Sequence, residues 1–242
     1  MRQKLVIGIN TLTSVDENVY ANHLDLFYHL GTLKDRFEVI LFSPTRMSID
    51  RMRNEAGKLA LNIEASHLVF IDDDMLLQRD TIEQLIDADK DIIMAHTYIR
   101  GHPFNPMAFK LTKDSTPAEI GLEPYIDVWE YQDENKLVKC DAIGFACVAI
   151  KTDLLRRMES PWFITGPCNT EDIYFCVRCM KELGDISTYV HCGCPTGHKL
   201  GSEFVHPENV EKLRTYYKPE VKDEAKSRGD RQQNYHEMIA QL

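Results

Sequence analysis

The 242-residue sequence lacks any long apolar run and any excess of basic residues. Its hydrophobic stretches span only a few residues each, whereas a membrane-spanning helix needs about 20. The 28 lysines and arginines are outnumbered by 38 aspartates and glutamates, so the formal net charge is −10. A broad basic face for nucleic acid or an acidic membrane is therefore not expected. The amino-terminal "MRQKLVIGIN" has no long apolar core of a signal peptide and predicts a first β-strand.

The seven cysteines are an odd number and do not suit a secreted disulfide framework. We expect them to be small core residues in a reducing cytoplasm. An alternative is a structural zinc site in an interaction protein, read as C-x-x-C…C-x-C from Cys176, Cys179, Cys192 and Cys194, with His191 and His198 nearby. The first pair lies in a predicted helix rather than a zinc knuckle, which disfavours that alternative.

The sequence also lacks a glycine-rich phosphate loop. A P-loop requires G-x-x-x-x-G-K-[ST], but the Gly57-Lys58 pair is followed by Leu59 and has no earlier glycine at the right spacing. A sugar-nucleotide pyrophosphorylase should carry such a loop after its first strand, and "VIGINTLTSVDEN" provides none. Both classes are therefore disfavoured.

What the first hundred residues do contain is an alternation of strands and helices. Short apolar runs predict strands at 5–9, 39–42, 68–71 and 91–95. Helical spacing predicts helices around 26–33, 52–63 (with Ser48 as N-cap) and 80–86. This pattern indicates a parallel sheet covered on both faces, in which ligands bind beyond the carboxyl ends of the strands.

The remainder has a different pattern, richer in β-strands and loops. We expect a turn at 133–135, a core strand over 142–150, a helix over 170–184 and a strand over 186–190. The segment 191–201 reads as a loop, and the charged tail from about residue 207 reads as helical.

The acidic turn, Asp72, Asp73 and Asp74, directly follows the third apolar run in "HLVFIDDDMLLQRD". Adjacent carboxylates repel one another unless a cation offsets them. Asp72 and Asp74 are two residues apart and point to the same side of an extended chain, which suits one oxygen-loving divalent ion. The alternative is an acidic turn that complements the dipole of the helix near Asp80.

Several segments together resemble GT-A-fold, family-2-like glycosyltransferases of bacterial or phage type. "FIDDDM" resembles their D-x-D element, and "RMRNEAGKLAL" resembles the arginine–asparagine helix before it. "CDAIGFACVAIKTDLL", "PWF", "TEDIYFCVRCMKELG" and "GHKLG" resemble the later acceptor-side and histidine elements, in the same order. The resemblance covers residues 5–201.

This resemblance implies an α/β GT-A fold, in which a Rossmann-like nucleotide-binding sheet is fused to an acceptor-side mixed sheet. It implies one catalytic domain over 1–201, with a nucleotide-binding half (1–100) and an acceptor half (101–201). A helical extension over 202–242 would follow. The compact size is typical of enzymes in the bacterial cytoplasm or the phage-infected host cytoplasm.

The implied activity moves a sugar from a nucleotide-diphosphate sugar, with a UDP-sugar favoured, to a hydroxyl acceptor. A Mn²⁺ or Mg²⁺ ion would offset the charge of the leaving diphosphate. The acceptor is a glycan, a lipid-linked sugar, a protein or a modified nucleic-acid base. Alternatives are a retaining glycosyltransferase on the same fold and a non-catalytic module that binds a sugar nucleotide or glycan.

For the metal, the resemblance favours Asp74 and His198, with His191 as the alternative histidine. Asp72 is expected at the ribose or a metal-bound water, and Asp73 is expected on the donor side, with its role open. Inverting transfer needs a base, which by resemblance is Asp172, supported by Glu171. An inert reading of these two acids is that they complement the dipole of a helix capped by Thr170.

The other expected site residues fall into three groups. The nucleotide base and ribose would lie at Asn10 and Thr11, and the diphosphate at Arg53 and Arg46. The donor sugar would approach Gly144 and Phe145. The acceptor or base would stack on Trp162 and Phe163. Salt bridges to Asp50 or Glu55 are the alternative for Arg53, and core packing is the alternative for the two aromatic residues.

Overall fold

The computed structural model describes residues 2–11, 13–112, 121–124, 137–166 and 169–217. Its strands are β1 (Gln3–Asn10), β2 (Phe37–Phe42), β3 (His67–Asp72), β4 (Met75–Leu76), β5 (Ile92–His96), β6 (Ala108–Leu111), β7 (Leu122–Pro124), β8 (Leu137–Lys139), β9 (Ala142–Ile143), β10 (Cys147–Lys151), β11 (Thr188–Pro195), β12 (Gly197–Leu200) and β13 (Glu203–Val205). Its helices are α1 (Glu17–Thr32), α2 (Ile49–Asn62), α3 (Thr81–Asp87), α4 (Thr152–Arg156), α5 (Glu171–Leu183) and α6 (Val210–Tyr216). The turn expected at 133–135 and the tail beyond 217 lie outside the described residues.

The central sheet has seven strands in the order β2-β1-β3-β10-β5-β11-β8. Strand β1 runs parallel to β2 and β3, and β5 runs parallel to β11. Strand β10 lies between β3 and β5 and is antiparallel to both. The sheet is therefore mixed, and the expectation of a parallel sheet was wrong at this position. Periodicity reveals which segments are strands, but a strand from the second half can still enter between two strands of the first.

Both faces of the sheet are buried, as the apolar runs predicted. Along β3, Leu68 and Phe70 face one hydrophobic cluster, while Val69 and Ile71 face another. Helices α2, α4 and α5 cover the first face, and α1 and α3 cover the second. Helix α6 packs through Val210 and Leu213 on a separate small cluster. In the described ranges, no helix has the length and apolar character needed to cross a bilayer.

The segment 142–150 forms two strands rather than the single expected one. Strand β9 pairs with β6 in a separate three-stranded sheet, whereas β10 joins the central sheet. Between them, the backbone N–H of Gly144 donates to the carbonyl of Met107 (2.8 Å), and the N–H of Phe145 donates to the Asp172 carboxylate (3.2 Å). Residues 144–146 therefore form a break between the two strands, where the chain passes from the small sheet to the central sheet.

The segment 191–201 is not the expected loop. Strand β11 continues to Pro195, and β12 pairs with β4 on one side and β13 on the other. Its three glycines and its single proline, Pro195, favour a loop, but partners distant in the chain stabilise the segment as strands. The consequence is that β12 carries His198 to the strand that directly follows the acidic turn.

Candidate active site

The acidic turn lies at the carboxyl end of β3, as predicted. Strand β3 ends at Asp72, and the short strand β4 begins at Met75. Helix α3 starts only at Thr81, with Asp80 at its N-cap position. A strand therefore separates the three acids from the helix, so complementing its dipole does not explain their presence. The carbonyl of Asp74 instead accepts a 2.9 Å hydrogen bond from the N–H of Lys199 on β12.

His198 is the histidine that the fold brings to Asp74. Its Nε2 lies 3.5 Å from Asp74 Oδ2, and its Nδ1 lies 2.8 Å from the carbonyl oxygen of Tyr98. Because a carbonyl only accepts, Nδ1 carries the proton of this hydrogen bond. With a second proton on Nε2 the ring faces Asp74 Oδ2 as a donor, and without that proton Nε2 offers its lone pair to a cation held between the two residues. A backbone carbonyl that fixes the far nitrogen in this way is the usual arrangement of a metal-binding histidine.

His191, the alternative ligand, lies elsewhere. It is a buried residue of β11 that pairs in register with Ala95 and Leu137. Burial lowers the pKa of its imidazole, although its own backbone opposes the shift. The geometry therefore separates the two histidines and leaves His198 as the candidate ligand.

Arg100 is a component of the site that the sequence did not single out. Its guanidinium makes an ion pair with Asp74 Oδ2, the oxygen that also faces His198. Burial alone would raise the pKa of Asp74, but His198 and Arg100 outweigh it and hold the pKa below its ordinary value. The Arg100 side chain is 59% exposed, against 18% for that of Asp74. An ion pair with one such exposed member contributes on the order of 1 kcal/mol or less.

Arg53 lies beneath the acidic turn and is buried. Its Nη2 lies 3.5 Å from Asp72 Oδ1 and its Nη1 lies 3.2 Å from Glu171 Oε1, with only 3% of the side chain exposed. The guanidinium is 5.1 Å from the ring centroids of both Phe70 and Phe145. A side chain this buried does not fit the expected role of binding diphosphate directly. The ion-pair partners of Arg53 are Asp72 and Glu171 rather than the surface acids Asp50 and Glu55. Arg53 instead connects the acidic turn to α5.

The carboxylates around Arg53 outnumber its single positive charge: Glu171 is buried, and Asp72 keeps 33% of its side chain exposed. Burial raises the pKa of Asp72 to about 7 despite the opposing effect of Arg53. Burial also raises the pKa of Glu171, again against Arg53 and with a contribution from Asp172. A deficit of positive charge inside a protein favours either protonation or a bound cation. The cluster thus supplies an electrostatic reason for a metal ion beside it.

Asp172 is held by three donors at the start of α5. The hydroxyl of Thr170 and the N–H of Ile173 (2.7 Å) donate to Oδ1, and the N–H of Phe145 donates to Oδ2. Thr170 occupies the expected N-cap position, but its side chain makes no capping hydrogen bond to the helix backbone and bonds to Asp172 instead. The carboxylate therefore fixes the break between β9 and β10 against the start of α5, whatever its chemical role.

Four of the expected donor and acceptor residues are buried in the core. Phe145 and Phe163 have 0% and 1% exposure and pack with Phe70 and Phe175. A Cβ on Gly144 would collide with the side chain of Met107, so the space beside this glycine is already filled by protein. Gly144 and Phe145 therefore leave no space for a donor sugar, and the expectation that the sugar approaches them was wrong.

Trp162 is also part of the core. Its indole N–H lies within hydrogen-bonding distance of the carbonyls of Leu155 (3.0 Å) and Met158 (3.1 Å), and its ring covers Gly57 of α2. The core alternative for Trp162 and Phe163 is what the structure shows. Neither ring is exposed for stacking on a sugar.

Asn54 explains why this aromatic segment lies against α2. Its Oδ1 accepts from the N–H groups of Trp162 (2.8 Å) and Phe163 (3.3 Å). Its Nδ2 donates to the carbonyls of Phe163 (2.6 Å) and Asp50 (2.8 Å). The arginine–asparagine helix therefore has two structural tasks, since Arg53 organises the acids and Asn54 anchors the 162–163 backbone.

The ends of β1 and β2 form the other side of the site. Asn10 pairs in register with Asp72, and its buried Oδ1 has no hydrogen-bond partner among the described residues. Thr11 bridges to Thr45, and the N–H of Arg46 donates to the carbonyl of Thr11 (3.2 Å). Arg46 is exposed. This edge therefore places Asn10 beside Asp72, with Thr11 following it and the exposed Arg46 bonded through its backbone to Thr11.

Within the described ranges, no three His, Cys, Asp or Glu side chains are arranged to hold a metal ion. The zinc site considered from the sequence is not assembled there: Cys176 and Cys179 are buried in α5, and Cys194 is buried in β11. Asp74 and His198 make only a pair. A metal held by this pair needs further ligands from water or a bound substrate.

Comparisons with models of protein families and with curated proteins give no match. Among solved structures, A197 from STIV has a TM-score of 0.54 and 19% identity, over 86% of this chain and 91% of that chain. At this identity the likeness shows a shared fold, a mixed α/β arrangement of Rossmann-like type. The inositol-1-phosphate CTP transferase from T. maritima has a TM-score of 0.41 and 12% identity, over 92% and 99% of the two chains. A Bacillus anthracis protein described as a glucose-1-phosphate thymidylyltransferase has a TM-score of 0.44 and 7% identity, over 92% and 98%.

Proposed function

We propose that this chain is a metal-dependent glycosyltransferase of GT-A architecture that moves a sugar from a UDP-sugar to a hydroxyl acceptor. The observation that carries the proposal is the geometry of His198. Its Nδ1 is committed to the carbonyl of Tyr98 (2.8 Å), and its Nε2 faces Asp74 at 3.5 Å. This pair lies at the carboxyl end of β3, where open α/β sheets bind their ligands.

The donor atoms of this pair fit the expected ion. A carboxylate oxygen and an imidazole nitrogen suit Mn²⁺, and Mg²⁺ accepts the same site with more water. With two protein ligands, the remaining positions fall to diphosphate oxygens and water, so tight metal binding should require the nucleotide. A bound ion would offset the negative charge that develops on the leaving diphosphate.

The nucleotide is proposed to lie along the ends of β1 and β2. Asn10 and Thr11 offer hydrogen bonds to the base and ribose, and Asp72 lies beside Asn10 in register. Arg46, which is exposed, is proposed to make electrostatic contact with phosphate. Arg53 acts indirectly in this proposal, by holding Asp72 and Glu171 in place.

For inverting transfer, Asp172 is the proposed base, with Glu171 beside it. The Phe145 N–H (3.2 Å) and the Thr170 hydroxyl hold its carboxylate in one orientation. A proton taken from the acceptor hydroxyl would reside on one of its oxygens and displace one of these hydrogen bonds. Because the same contacts also suit a purely structural carboxylate, a module that binds a sugar nucleotide without catalysis is the second candidate.

Isothermal titration of the full chain with UDP, with and without Mn²⁺, tests the metal site. Wild-type protein should bind UDP at least about tenfold more tightly with Mn²⁺ present, while Asp74→Asn and His198→Gln should lose that enhancement. His191→Gln is the matched histidine control and should retain it. Equal UDP affinity with and without Mn²⁺ in the wild type would remove the proposal.

The Asp172→Asn variant separates the enzyme from the binding module. A panel of nucleotide sugars should first be screened for hydrolysis by the wild type to find the donor. Asp172→Asn should then lose turnover yet keep Mn²⁺-dependent UDP binding, because the amide cannot take the proton. Unchanged turnover would eliminate Asp172 as the base. Metal-dependent UDP binding without hydrolysis of any donor would favour the module.

A further inference from the structure

Asp74 Oδ2 has two neighbours of different kinds. The guanidinium of Arg100 makes an ion pair with it, and His198 Nε2 approaches it at 3.5 Å. A divalent ion bound between Asp74 and His198 would meet the same oxygen. It would then lie next to the guanidinium, and two cations in contact repel each other strongly when they are only partly hydrated. Arg100 and the metal ion therefore compete for one carboxylate oxygen.

The side chain of Arg100 can move without disturbing its surroundings. It is 59% exposed, whereas Arg53, the other arginine at this site, is 3% exposed and lies between two aromatic rings. The backbone just before it is held, because the carbonyl of Tyr98 binds His198 and the N–H of Ile99 donates to the carbonyl of Asn105 (2.9 Å). A guanidinium on a fixed backbone can thus exchange its partner while the metal ligands stay in place.

We propose that Arg100 is a counter-ion that yields Asp74 to the divalent ion and transfers to the diphosphate of the donor. This inference rests on the proposed function, since it requires a metal and a diphosphate at the site. A diphosphate bound beside the ion is the anion within reach for a guanidinium displaced from Asp74, and guanidinium groups bind phosphate oxygens well. Arg100 thereby becomes a residue that determines the order of binding and the preference for a diphosphate.

The thermodynamic consequence is positive coupling between metal and nucleotide. The ion alone must displace Arg100 with no new partner for the guanidinium, which weakens its binding. With the diphosphate present, the displaced guanidinium gains an anion. Coupling of this kind is reciprocal, so the nucleotide must also bind more tightly in the presence of the ion, and by the same factor.

The test measures Mn²⁺ binding directly, by the electron paramagnetic resonance signal of unbound Mn²⁺, with and without UDP. Arg100→Ala should bind Mn²⁺ alone about 5- to 20-fold more tightly than wild type, because the competitor is gone. It should bind UDP in the presence of Mn²⁺ about tenfold more weakly, so the coupling factor should fall. Arg100→Gln, which keeps the length of the side chain without its charge, should behave in the same way.

Arg79→Ala is the matched control. Arg79 is also an exposed arginine, at 54%, and its partner is the exposed Asp25 at 3.7 Å rather than the acidic turn. This variant removes the same charge from the protein, and its Mn²⁺ affinity should change by less than about twofold, because the Arg79 charge is paired with Asp25 and, being exposed, is screened by salt.

Each outcome identifies which idea has failed. If Arg100→Ala binds Mn²⁺ alone no more tightly than wild type, or changes it only as Arg79→Ala does, Arg100 is not the competitor and the inference is wrong. If Mn²⁺ alone binds more tightly but UDP binding is unaffected, the transfer to diphosphate is wrong. If wild-type protein shows no coupling between Mn²⁺ and UDP at all, it is the proposed function that fails.

Discussion

Replacing Arg53 by methionine should strongly destabilise the protein, because it leaves two acids without their buried counter-charge. Methionine keeps an unbranched chain of similar length but has no charge. Arg53 is within 3.2 Å of Glu171 and 3.5 Å of Asp72, and its side chain is 3% exposed. Removing one member of such a buried pair typically costs about 3–5 kcal/mol. That is a large part of the roughly 5–15 kcal/mol by which a domain is stable.

The loss should depend on pH with a defined sign. Burial raises the pKa of both Asp72 (to about 7) and Glu171 in the folded protein, and Arg53 opposes both shifts. An acid whose folded pKa is raised is stabilising below its unfolded pKa, and this contribution is lost as the pH rises through the folded value. Without Arg53 both folded values rise further. The deficit of Arg53→Met should therefore be largest near pH 8 and shrink towards pH 5.

Urea denaturation followed by circular dichroism at pH 5, 7 and 8 measures these effects. A double-mutant cycle with Glu171→Gln isolates the pair, and the double variant should lose less than the sum of the two single losses by about 1–3 kcal/mol. A deficit below about 1 kcal/mol at pH 7, or one that does not change with pH, would refute the idea of a buried charge cluster held by Arg53.

Two further predictions concern residues outside the acidic turn. His96 is fully buried, neither of its ring nitrogens has a partner in the described part of the chain, and burial lowers its pKa to about 4. The contribution of neutral His96 to stability should therefore decline as the pH falls from about 6.5 to 4, by at most about 1.4 kcal/mol per pH unit. The free energy of unfolding of His96→Leu, measured in urea, should therefore depend less steeply on pH than that of the wild type. The same slope in both proteins would show that His96 is not the titrating group. Asn54→Ala should lower the free energy of unfolding by about 2–4 kcal/mol in the same assay, because it leaves the backbone groups of Trp162 and Phe163 unsatisfied. A loss of less than about 0.5 kcal/mol, which is typical of a surface substitution, would show that other contacts anchor this segment.

The elements of the first hundred residues were largely predictable because their apolar runs are separated by clear helical periods. Strand β3 (His67–Asp72) exceeds the expected range 68–71 by one residue at each end, and α2 begins after Ser48 as expected. The order of the strands was not predictable in this way. Nothing local in the segment 147–151 indicates that it inserts between β3 and β5, since that choice depends on which edges the rest of the chain leaves open.

At the site, the sequence predicted which chemical groups are present more reliably than it predicted which residues contact each other. The pairing of Asp74 with His198 was expected from the resemblance, and the structure brings the two side chains together. The burial of Arg53 was missed, and core packing of Trp162 and Phe163 was one of two open alternatives, because an arginine or an aromatic ring near a candidate site fits both a ligand contact and a core contact. Arg100 carried no motif at all, and its position shortly after a strand end was the only sign.

The insertion of β10 between β3 and β5 has a consequence for synthesis of the chain. A nascent polypeptide that has left the ribosome only as far as β5 contains β3 but not the strand that covers its edge, which begins at Cys147. Until then β3 presents open backbone groups, the kind of edge that recruits chaperones or aggregates. The acidic turn at the end of β3 therefore reaches its final surroundings only after most of the chain has been translated.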